Sequence, residues 1–243
     1  MLDIQDLDRV LNEFDTDEQQ VRRDHAISHV LDALQKIKSP MVFFGGTALA
    51  RTFLPNGRLS EDIDLFTAKR ESLCEEIDGI PTLIQREFPN AFWESLPSNA
   101  FDAQDLLLHC DDSIRVKMQI VESETRGWSA VPVTLTSIHQ RYADVNPTSL
   151  VVPTFDGFVA MKALAWVDRG AVRDIFDLEG LARIHEVTEE ARVVIDRIRG
   201  YRLSKGMLNQ RAIGKWTEEL AHQTKLEVTE EECLKRVLDW WDA

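Results

Sequence analysis

Residues 41–66 read MVFFGGTALARTFLPNGRLSEDIDLF, and this stretch decides the predicted fold. The apolar run 41–44 predicts a short buried strand, and the glycines 45–46 permit a sharp turn close to a ligand. Residues 48–51 favour the first turns of a short helix. Residues 62–66 alternate polar and apolar side chains, as a half-buried strand does. The predicted order is therefore strand, glycine turn, short helix, loop and strand.

Asp62 and Asp64 lie two residues apart on the second predicted strand. Because side chains alternate across a strand, both carboxylates point to one face and offer oxygen ligands to a divalent cation. Thr47 lies near the N-terminus of the short helix, where free N–H groups attract phosphate, and Gly45 and Gly46 allow a close backbone approach. Each motif alone also has a non-functional explanation, since Asp-X-Asp is often a solvated turn and Gly-Gly-Thr is common. Their combination in this order favours a phosphate cradle followed by metal ligands.

The combined pattern resembles the nucleotidyltransferase signature, in which Gly-Gly or Gly-Ser is followed by a spacer and Asp-X-Asp. The fuller strings, GGTALAR at 45–51 and RLSEDIDLF at 58–66, resemble the AbiEii/AbiGii-type toxin branch of that superfamily, which includes the MenT toxins. The resemblance covers 41–184. Residues 54–57 make the spacer slightly longer than in the family, and we expect them to enlarge a surface loop.

The chain is acidic, with 243 residues and a formal net charge of −14. This charge argues against a protein that coats nucleic acid non-specifically, because phosphate contacts need a basic face. A local basic groove is still compatible with it, since arginine and lysine residues crowd the stretch 169–205. The alternative for that stretch is a set of solvated helix faces. Strong negative charge elsewhere suits a basic protein partner.

The cysteine spacing and the hydropathy pattern indicate the cellular compartment of the protein. The three cysteines are widely spaced and form no Cys-X-X-Cys pair, which is typical of reduced thiols in the cytosol. No apolar run approaches the roughly 18 residues that a membrane helix needs. The acidic N-terminus lacks the basic and then apolar pattern of a signal peptide. We therefore expect a cytoplasmic protein with no membrane partner.

The fold class predicted from the whole chain is α+β: an N-terminal nucleotidyltransferase-like mixed sheet with flanking helices, followed by a C-terminal helical bundle. We place the domain boundary in the connection 132–153, which gives domains at 1–150 and 151–243. Around the central stretch the sequence predicts two N-terminal helices, a helix bent at Pro81, and strands at 91–96, 104–110 and 113–121. The later predicted helices are a short one at 136–142 and five longer ones at 154–168, 171–184, 188–199, 205–225 and 229–241.

A second group of charged residues lies around Gly170, between two of the predicted helices. From the residues alone, Lys162, Asp168–Arg169 and Arg173–Asp174 are charged groups at the facing ends of two helices. Arg173, Asp174 and Asp177, about one turn apart on one helix face, form an ordinary ion-pair cluster. The toxin family carries a similar pattern, which matches Lys162, Ala165, Arg169, Arg173, Asp174, Phe176, Asp177 and Leu178. By that resemblance Lys162 holds the triphosphate, and Asp174 is needed for transfer, either as general base toward the acceptor hydroxyl or by ordering the site.

The strand 113–121 departs from the family pattern. The resemblance implies a third metal-binding carboxylate near position 119, where this chain has Gln119. Gln119 offers a cation only a neutral oxygen, and Glu122 falls on the opposite face of the strand. Asp62 and Asp64 alone would hold a metal weakly until a nucleoside triphosphate adds its own oxygens.

These patterns together define a predicted site. Asp62 and Asp64 bind Mg²⁺ (or Mn²⁺), and the catalytic residues are Asp62, Asp64, Lys162 and Asp174. The predicted nucleotide-binding residues are Gly45, Gly46, Thr47, Arg58, Ser60 and Lys162. A different pair, His25 and His29, is four residues apart on a predicted helix, but the sequence shows no further ligand nearby, so we interpret that helix as structural.

The resemblance also implies a biological role. It predicts the toxin of a toxin–antitoxin or phage-defence pair that works with an antitoxin partner and uses an NTP. The expected acceptor is RNA, in particular the 3′ end of tRNA, which the arginine-rich stretch 192–205 suits. The alternatives are transfer to a small molecule or a protein hydroxyl, and a non-catalytic member of the fold that binds nucleotide or a partner.

Overall fold

The structure is a computed structural model that describes residues 2–98 and 100–242. The strands of this part of the chain are β1 (Val42–Phe44), β2 (Asp62–Thr67), β3 (Phe92–Leu96), β4 (Ala103–His109), β5 (Arg115–Glu122), β6 (Val133–Ile138) and β7 (Thr148–Pro153). The helices are α1 (Ile4–Phe14), α2 (Glu18–Leu34), α3 (Gly45–Ala50), α4 (Arg70–Ile77), α5 (Ile80–Leu83), α6 (Phe155–Arg169), α7 (Val172–Ala182), α8 (Glu189–Arg199), α9 (Lys205–Leu208), α10 (Trp216–Leu220) and α11 (Glu230–Asp242). Two short 3₁₀ turns, Glu124–Arg126 and Trp128–Ala130, follow β5.

The central sheet is mixed and has the strand order β1-β2-β5-β4-β3. Strands β2 and β5 are parallel, whereas the other neighbouring pairs are antiparallel. The register places Gln119 of β5 between Asp64 of β2 and Asp105 of β4, so these three side chains form a row on one face of the sheet. Ile63 and Leu65 of β2 are fully buried in the main core. The predicted alternation of β2 is therefore confirmed.

Helix α2 covers the sheet with the apolar stripe that its sequence predicts. Asp17 caps its N-terminus by accepting a hydrogen bond from the backbone N–H of Gln20. The side chains of Ile27, Val30 and Leu31 are fully buried in the main core, which also contains residues of the sheet. Burial of this stripe is what fixes the helix against the sheet.

The helix predicted at 136–142 is wrong, because residues 136–138 belong to strand β6. Strand β6 pairs with β7 in an antiparallel two-stranded sheet, with Val133 opposite Pro153 and Ile138 opposite Thr148. Its sequence, VTLTSI, is rich in β-branched residues, which suit a pleated strand better than a helix. Pairing with a partner strand that follows ten or more residues later decides the structure of this segment.

The single helix predicted at 205–225 is also wrong. The structure has two short helices there, α9 and α10, separated by an irregular segment. Gly214 in that segment has φ of 130°, which a helix does not allow. The backbone N–H of Ile213 donates to the carbonyl of Gly170 at 2.6 Å, and Ile213 forms a parallel bridge with Ala171. The segment therefore packs on the start of α7 as extended chain.

The main hydrophobic core runs through both halves of the chain. It contains residues of α2 and the central sheet together with residues of α6, α7, α8 and α11. The α+β fold class is confirmed, with a mixed sheet flanked by helices and a helical C-terminal part. The division into domains at 1–150 and 151–243 stays a prediction. Within the described residues, no helix combines the length and the apolar character needed to cross a membrane.

Candidate active site

The glycine turn lies directly against the acidic strand. Gly45 follows β1 with φ of +78°, a conformation that favours glycine. A Cβ on Gly45 would clash with Oδ2 of Asp64, and a Cβ on Gly46 would crowd the guanidinium of Arg58. Both glycines are therefore required because other side chains of the site occupy the space of a Cβ.

Asp62 and Asp64 share one face of β2 and are both half-buried. Burial and the neighbouring Asp62 raise the pKa of Asp64 to about 6. Burial likewise raises the pKa of Asp62. Among the residues that the structure describes, neither carboxylate accepts a hydrogen bond or has a cation within 4.0 Å. Two such carboxylates are suited to bind a cation from solution.

The buried acids of α7 have the opposite environment, because each is surrounded by cationic side chains. Lys162 Nζ lies 3.1 Å from Asp174 Oδ1 and 2.6 Å from Asp177 Oδ2. Arg169 donates to both oxygens of Asp174, from Nε at 2.6 Å and from Nη2 at 2.9 Å. Arg58 makes a matching bidentate contact with Asp177, at 2.9 Å for each bond. Lys162, Arg169, Asp174 and Asp177 thus form one continuous network with Arg58, in which every member except the largely exposed Arg169 is buried.

Asp174 is fully ionised in this network. Burial opposes its ionisation, but the charge of Lys162 and the hydrogen bonds from Arg169 outweigh burial and lower the pKa of Asp174 to about 2. Asp177 has a lowered pKa too, because Arg58 and Lys162 outweigh its burial. A carboxylate with such a low pKa and with both oxygens engaged is a poor proton acceptor.

The network and the acidic strand meet in one cleft. A cavity of about 670 Å³ and an adjoining one of about 200 Å³ share six lining residues: Gly46, Asp64, Gln119, Lys162, Arg169 and Asp174. The smaller cavity is also lined by Asp62, Arg58 and Ser60, and the larger by Gly45. The structure therefore brings together the predicted site residues from both motifs, with one exception.

The exception is Thr47. Its side chain is almost fully buried, its hydroxyl donates to the backbone carbonyl of Asp62, and it lines neither cavity. The Thr47 side chain thus links α3 to β2. Arg58 lines the smaller cavity, but it is only 4% exposed and its Nη1 donates to Gln223 Oε1 at 2.7 Å. Its guanidinium mainly joins the loop before β2 to the helical half.

Gln119 is oriented by Asp105. The side-chain Nε2 of Gln119 donates to Asp105 Oδ1 at 2.8 Å, across the β4–β5 pair. Because the amide nitrogen is fixed on this side, the amide oxygen of Gln119 is the atom left for the cleft, which Gln119 lines. Asp105 itself is almost buried and lines neither cavity.

Arg126 and Trp128 line the larger cavity and were not predicted from the sequence. Trp128 lies in the 3₁₀ turn after β5 and packs against Phe44, with ring centroids 4.9 Å apart. Arg126 stacks over Trp128, with its guanidinium carbon 5.3 Å from the ring centroid. Arg199, at the end of α8, lines the cavity and pairs with Asp168. For Arg126 and Trp128, only their nearness in sequence hints at such a role, whereas Arg199 belongs to the arginine-rich stretch 192–205.

Comparisons with known proteins identify a family for this chain and structures with a similar fold. The family model described as "Nucleotidyl transferase AbiEii toxin, Type IV TA system" matches residues 29–239. The structure is similar to that of MenT4, a nucleotidyltransferase toxin from Mycobacterium tuberculosis H37Rv, with a TM-score of 0.68 and 18% identity over 92% of this chain and 83% of that chain. It is also similar to an antigenic nucleotidyltransferase-like protein from Paracoccidioides brasiliensis, with a TM-score of 0.45 and 13% identity over 82% of this chain and 96% of that chain. A comparison with curated protein sequences finds no match.

Replacing Gly45 tests the close approach to Asp64. Gly45→Ala is expected to lower the melting temperature markedly more than Gly200→Ala. Both glycines have positive φ, at 78° and 74°, but a Cβ on Gly200 meets no atom within 4 Å. The control therefore carries only the backbone cost of about 1–2 kcal/mol, whereas Gly45→Ala adds the clash with Asp64. Equal melting temperatures for the two variants would contradict this account.

Replacing Asp64 tests its buried charge. The pKa of Asp64 is higher in the folded chain than in the unfolded chain, so its contribution to stability falls as pH rises and is lowest above pH 6. In metal-free buffer, Asp64→Asn should therefore stabilise the protein by about 3 kcal/mol at pH 8 and by much less near pH 4. Urea unfolding at both pH values measures this difference. A stability gain that does not depend on pH would refute the raised pKa of Asp64.

Proposed function

The chain belongs to the AbiEii family of nucleotidyl transferase toxins, and we propose that it transfers a nucleotide from an NTP to the 3′ end of an RNA, in particular tRNA, with Mg²⁺ as its ion. Membership of this type IV toxin–antitoxin family implies an NTP substrate and an antitoxin partner. The identity of the ion, the RNA acceptor and a role in phage defence belong to the proposal. The single observation that carries it is the pair of unpaired carboxylates on β2, which faces a cleft lined by cationic side chains.

Nucleotidyltransferases generally use a divalent metal ion, and the residues of the cleft fit one. Asp62 and Asp64 provide oxygen ligands, and burial raises the pKa values of both although nearby cationic side chains, Arg173 for Asp62 and Lys162 for Asp64, partly offset it. Oxygen ligands alone favour Mg²⁺ or Mn²⁺ over softer metals. When bound, such an ion supplies positive charge that stabilises the attacking and leaving oxygens of phosphoryl transfer.

The cationic side of the cleft suits the triphosphate. Lys162 and Arg169 line both cavities, and the network fixes them before any ligand arrives, so they need little reorganisation to meet negative charge. Asp174 holds both cations in place, and its low pKa argues for that positioning role over the alternative of a general base. Gly45 and Gly46 let the backbone of the turn approach the phosphates. Thr47 contributes by supporting β2 and not by binding phosphate directly.

The larger cavity suits the nucleoside and the incoming acceptor. Its volume of about 670 Å³ lies in the range of small-molecule sites, and its aromatic wall at Trp128 and Phe44 offers a surface for a base. Arg126 and Arg199 line the same cavity and can contact phosphates of an RNA end. Arg126 pairs with Asp102 and Arg199 with Asp168, so each would exchange or share its carboxylate partner on contact with RNA. We place the proposed RNA contact at the cleft because these two arginines line it.

Labelled nucleotides test the proposed reaction. The purified protein is incubated with Mg²⁺, total tRNA and each of four α-³²P-labelled nucleoside triphosphates. Label should move to RNA with a preferred nucleotide, and an Asp62→Ala, Asp64→Ala double variant should reduce transfer by several powers of ten with little change in fold. Lys235→Ala is a matched control, because Lys235 is exposed and pairs only with Asp239. If the label moves instead to a small molecule or a protein, the proposed RNA acceptor is wrong and that molecule is the acceptor.

Replacing Asp105 tests whether it is a metal ligand or only orients Gln119. We expect Asp105→Asn to reduce transfer by less than about tenfold, because the Asn carbonyl can still accept the hydrogen bond from Gln119. Gln119→Leu, which removes the amide oxygen, should raise the Mg²⁺ concentration needed for half-maximal rate. A loss of several powers of ten in Asp105→Asn would instead make Asp105 a ligand in its own right.

A further inference from the structure

A second group of metal-binding side chains lies on helix α2. His25 and His29 are one turn apart on this helix, and the chain brings Glu87 and Asp144 beside them. One ligand atom from each of the four residues lies within 4.8 Å of all the others. The two acids were not visible from the sequence, because they follow the histidines by more than fifty residues. None of the four residues lines either cavity of the active-site cleft.

Three of the four ligand atoms already have the spacing of a tetrahedral metal site. The Nε2 atoms of His25 and His29 are 3.2 Å apart. Asp144 Oδ2 lies 3.1 Å from Nε2 of His25 and 3.6 Å from Nε2 of His29. Zinc–ligand bonds of about 2.0–2.1 Å in a tetrahedron give ligand–ligand distances of about 3.3–3.4 Å. The three atoms thus form one face of such a tetrahedron, and Glu87 is near enough to occupy the fourth corner with a small side-chain movement.

The surroundings hold the two imidazoles in this arrangement. The His25 ring packs edge-on against His29 and Tyr142, with centroid distances of 4.6 and 4.9 Å. The His29 ring packs edge-on against Phe88 at 5.8 Å. Such packing fixes the direction of both Nε2 atoms before a ligand binds. A cavity of about 650 Å³ lined by His25 and Glu87 gives an ion access from solvent.

We propose that His25, His29, Glu87 and Asp144 form a binding site for a transition metal ion of the Zn²⁺ class. Two imidazoles with two carboxylates are ligands that Zn²⁺ accepts and that Mg²⁺ and Ca²⁺ do not select, since those ions prefer oxygen alone. The site is separate from the Asp62 and Asp64 carboxylates, and it does not depend on the proposed reaction.

The bound ion would join three segments that are distant in sequence: helix α2, the turn after α5, and the loop between β6 and β7. That loop also carries Tyr142, whose hydroxyl donates to Asp24 Oδ2 at 2.9 Å, and Arg141, whose Nη2 donates to the carbonyl of Ala50 at 3.0 Å. Ala50 ends α3, the helix that follows the glycine turn. A metal ion at this position therefore stabilises the support beneath the active site, and its binding energy adds to the free energy of unfolding.

The test uses the full chain with the Asp62→Ala, Asp64→Ala substitutions, so that the cleft does not contribute metal binding. After EDTA treatment and removal of the chelator, Zn²⁺ is added during isothermal titration calorimetry and thermal unfolding. We expect one equivalent of Zn²⁺ to bind and the melting temperature to rise. Co²⁺ in place of Zn²⁺ should give the visible absorption of a tetrahedral site.

His29→Gln should weaken Zn²⁺ binding at least tenfold and abolish the Co²⁺ absorption, while His222→Gln, at a partly exposed histidine outside the cluster, should change neither. Asp144→Asn, at an exposed loop residue, provides a second variant that is expected to fold if His29→Gln does not. Zn²⁺ binding that is unchanged in both cluster variants, or the absence of stoichiometric binding in the parent protein, would overturn the proposal.

Discussion

The burial of Asp62 and Asp64 without a direct ion-pair partner among the described residues is the constraint on which the rest of the structure depends. Strand β2 forces both carboxylates to one face, and its other face is committed to the core through Ile63 and Leu65. Burying charge without a partner is costly, and the raised pKa of Asp64, about 6, is a direct expression of that cost. The proposed cation would offset this cost by completing the site. Glycine at position 45 follows from the same constraint, because Asp64 occupies the place of its Cβ.

The cationic network balances the acidic strand from the helical half. Arg58, Lys162 and Arg169 share the two carboxylates Asp174 and Asp177, so the network itself has more positive than negative groups. The surplus faces the cleft that Asp64 also lines. The proposed triphosphate and its metal ion would bring both signs of charge, which suits a cleft between these two surfaces. Because α6 and α7 hold this network while β2 holds the acids, the cleft exists only when both halves of the chain are packed together.

Local sequence patterns predicted the parts of this site that depend on neighbouring residues. The strand, the glycine turn and the Asp-X-Asp strand follow from periodicity, and the α+β class follows from their order. The errors have a different origin. Residues 136–138 form a strand because β7 pairs with them, Thr47 turns to the carbonyl of Asp62, and Arg126 and Trp128 reach the cleft through the turn after β5. Each of these depends on contacts between segments that one sequence does not reveal. His25 and Asp144 likewise lie together because of contacts between segments that are distant in sequence.

The two proposed metal sites differ in the kinds of ligand that their fold elements present. A strand with acidic residues at every second position presents oxygen atoms in a row, which suits a hard ion that also binds phosphate. A helix with histidines four apart presents two nitrogen atoms on one face, which suits a softer ion held for structure. Gln119 fits this division, because Asp105 fixes its amide and leaves a neutral oxygen, not a third charge, beside Asp64. An active site with fewer fixed negative charges binds its ion less tightly alone, and in the proposed reaction the triphosphate would supply the remaining ligands.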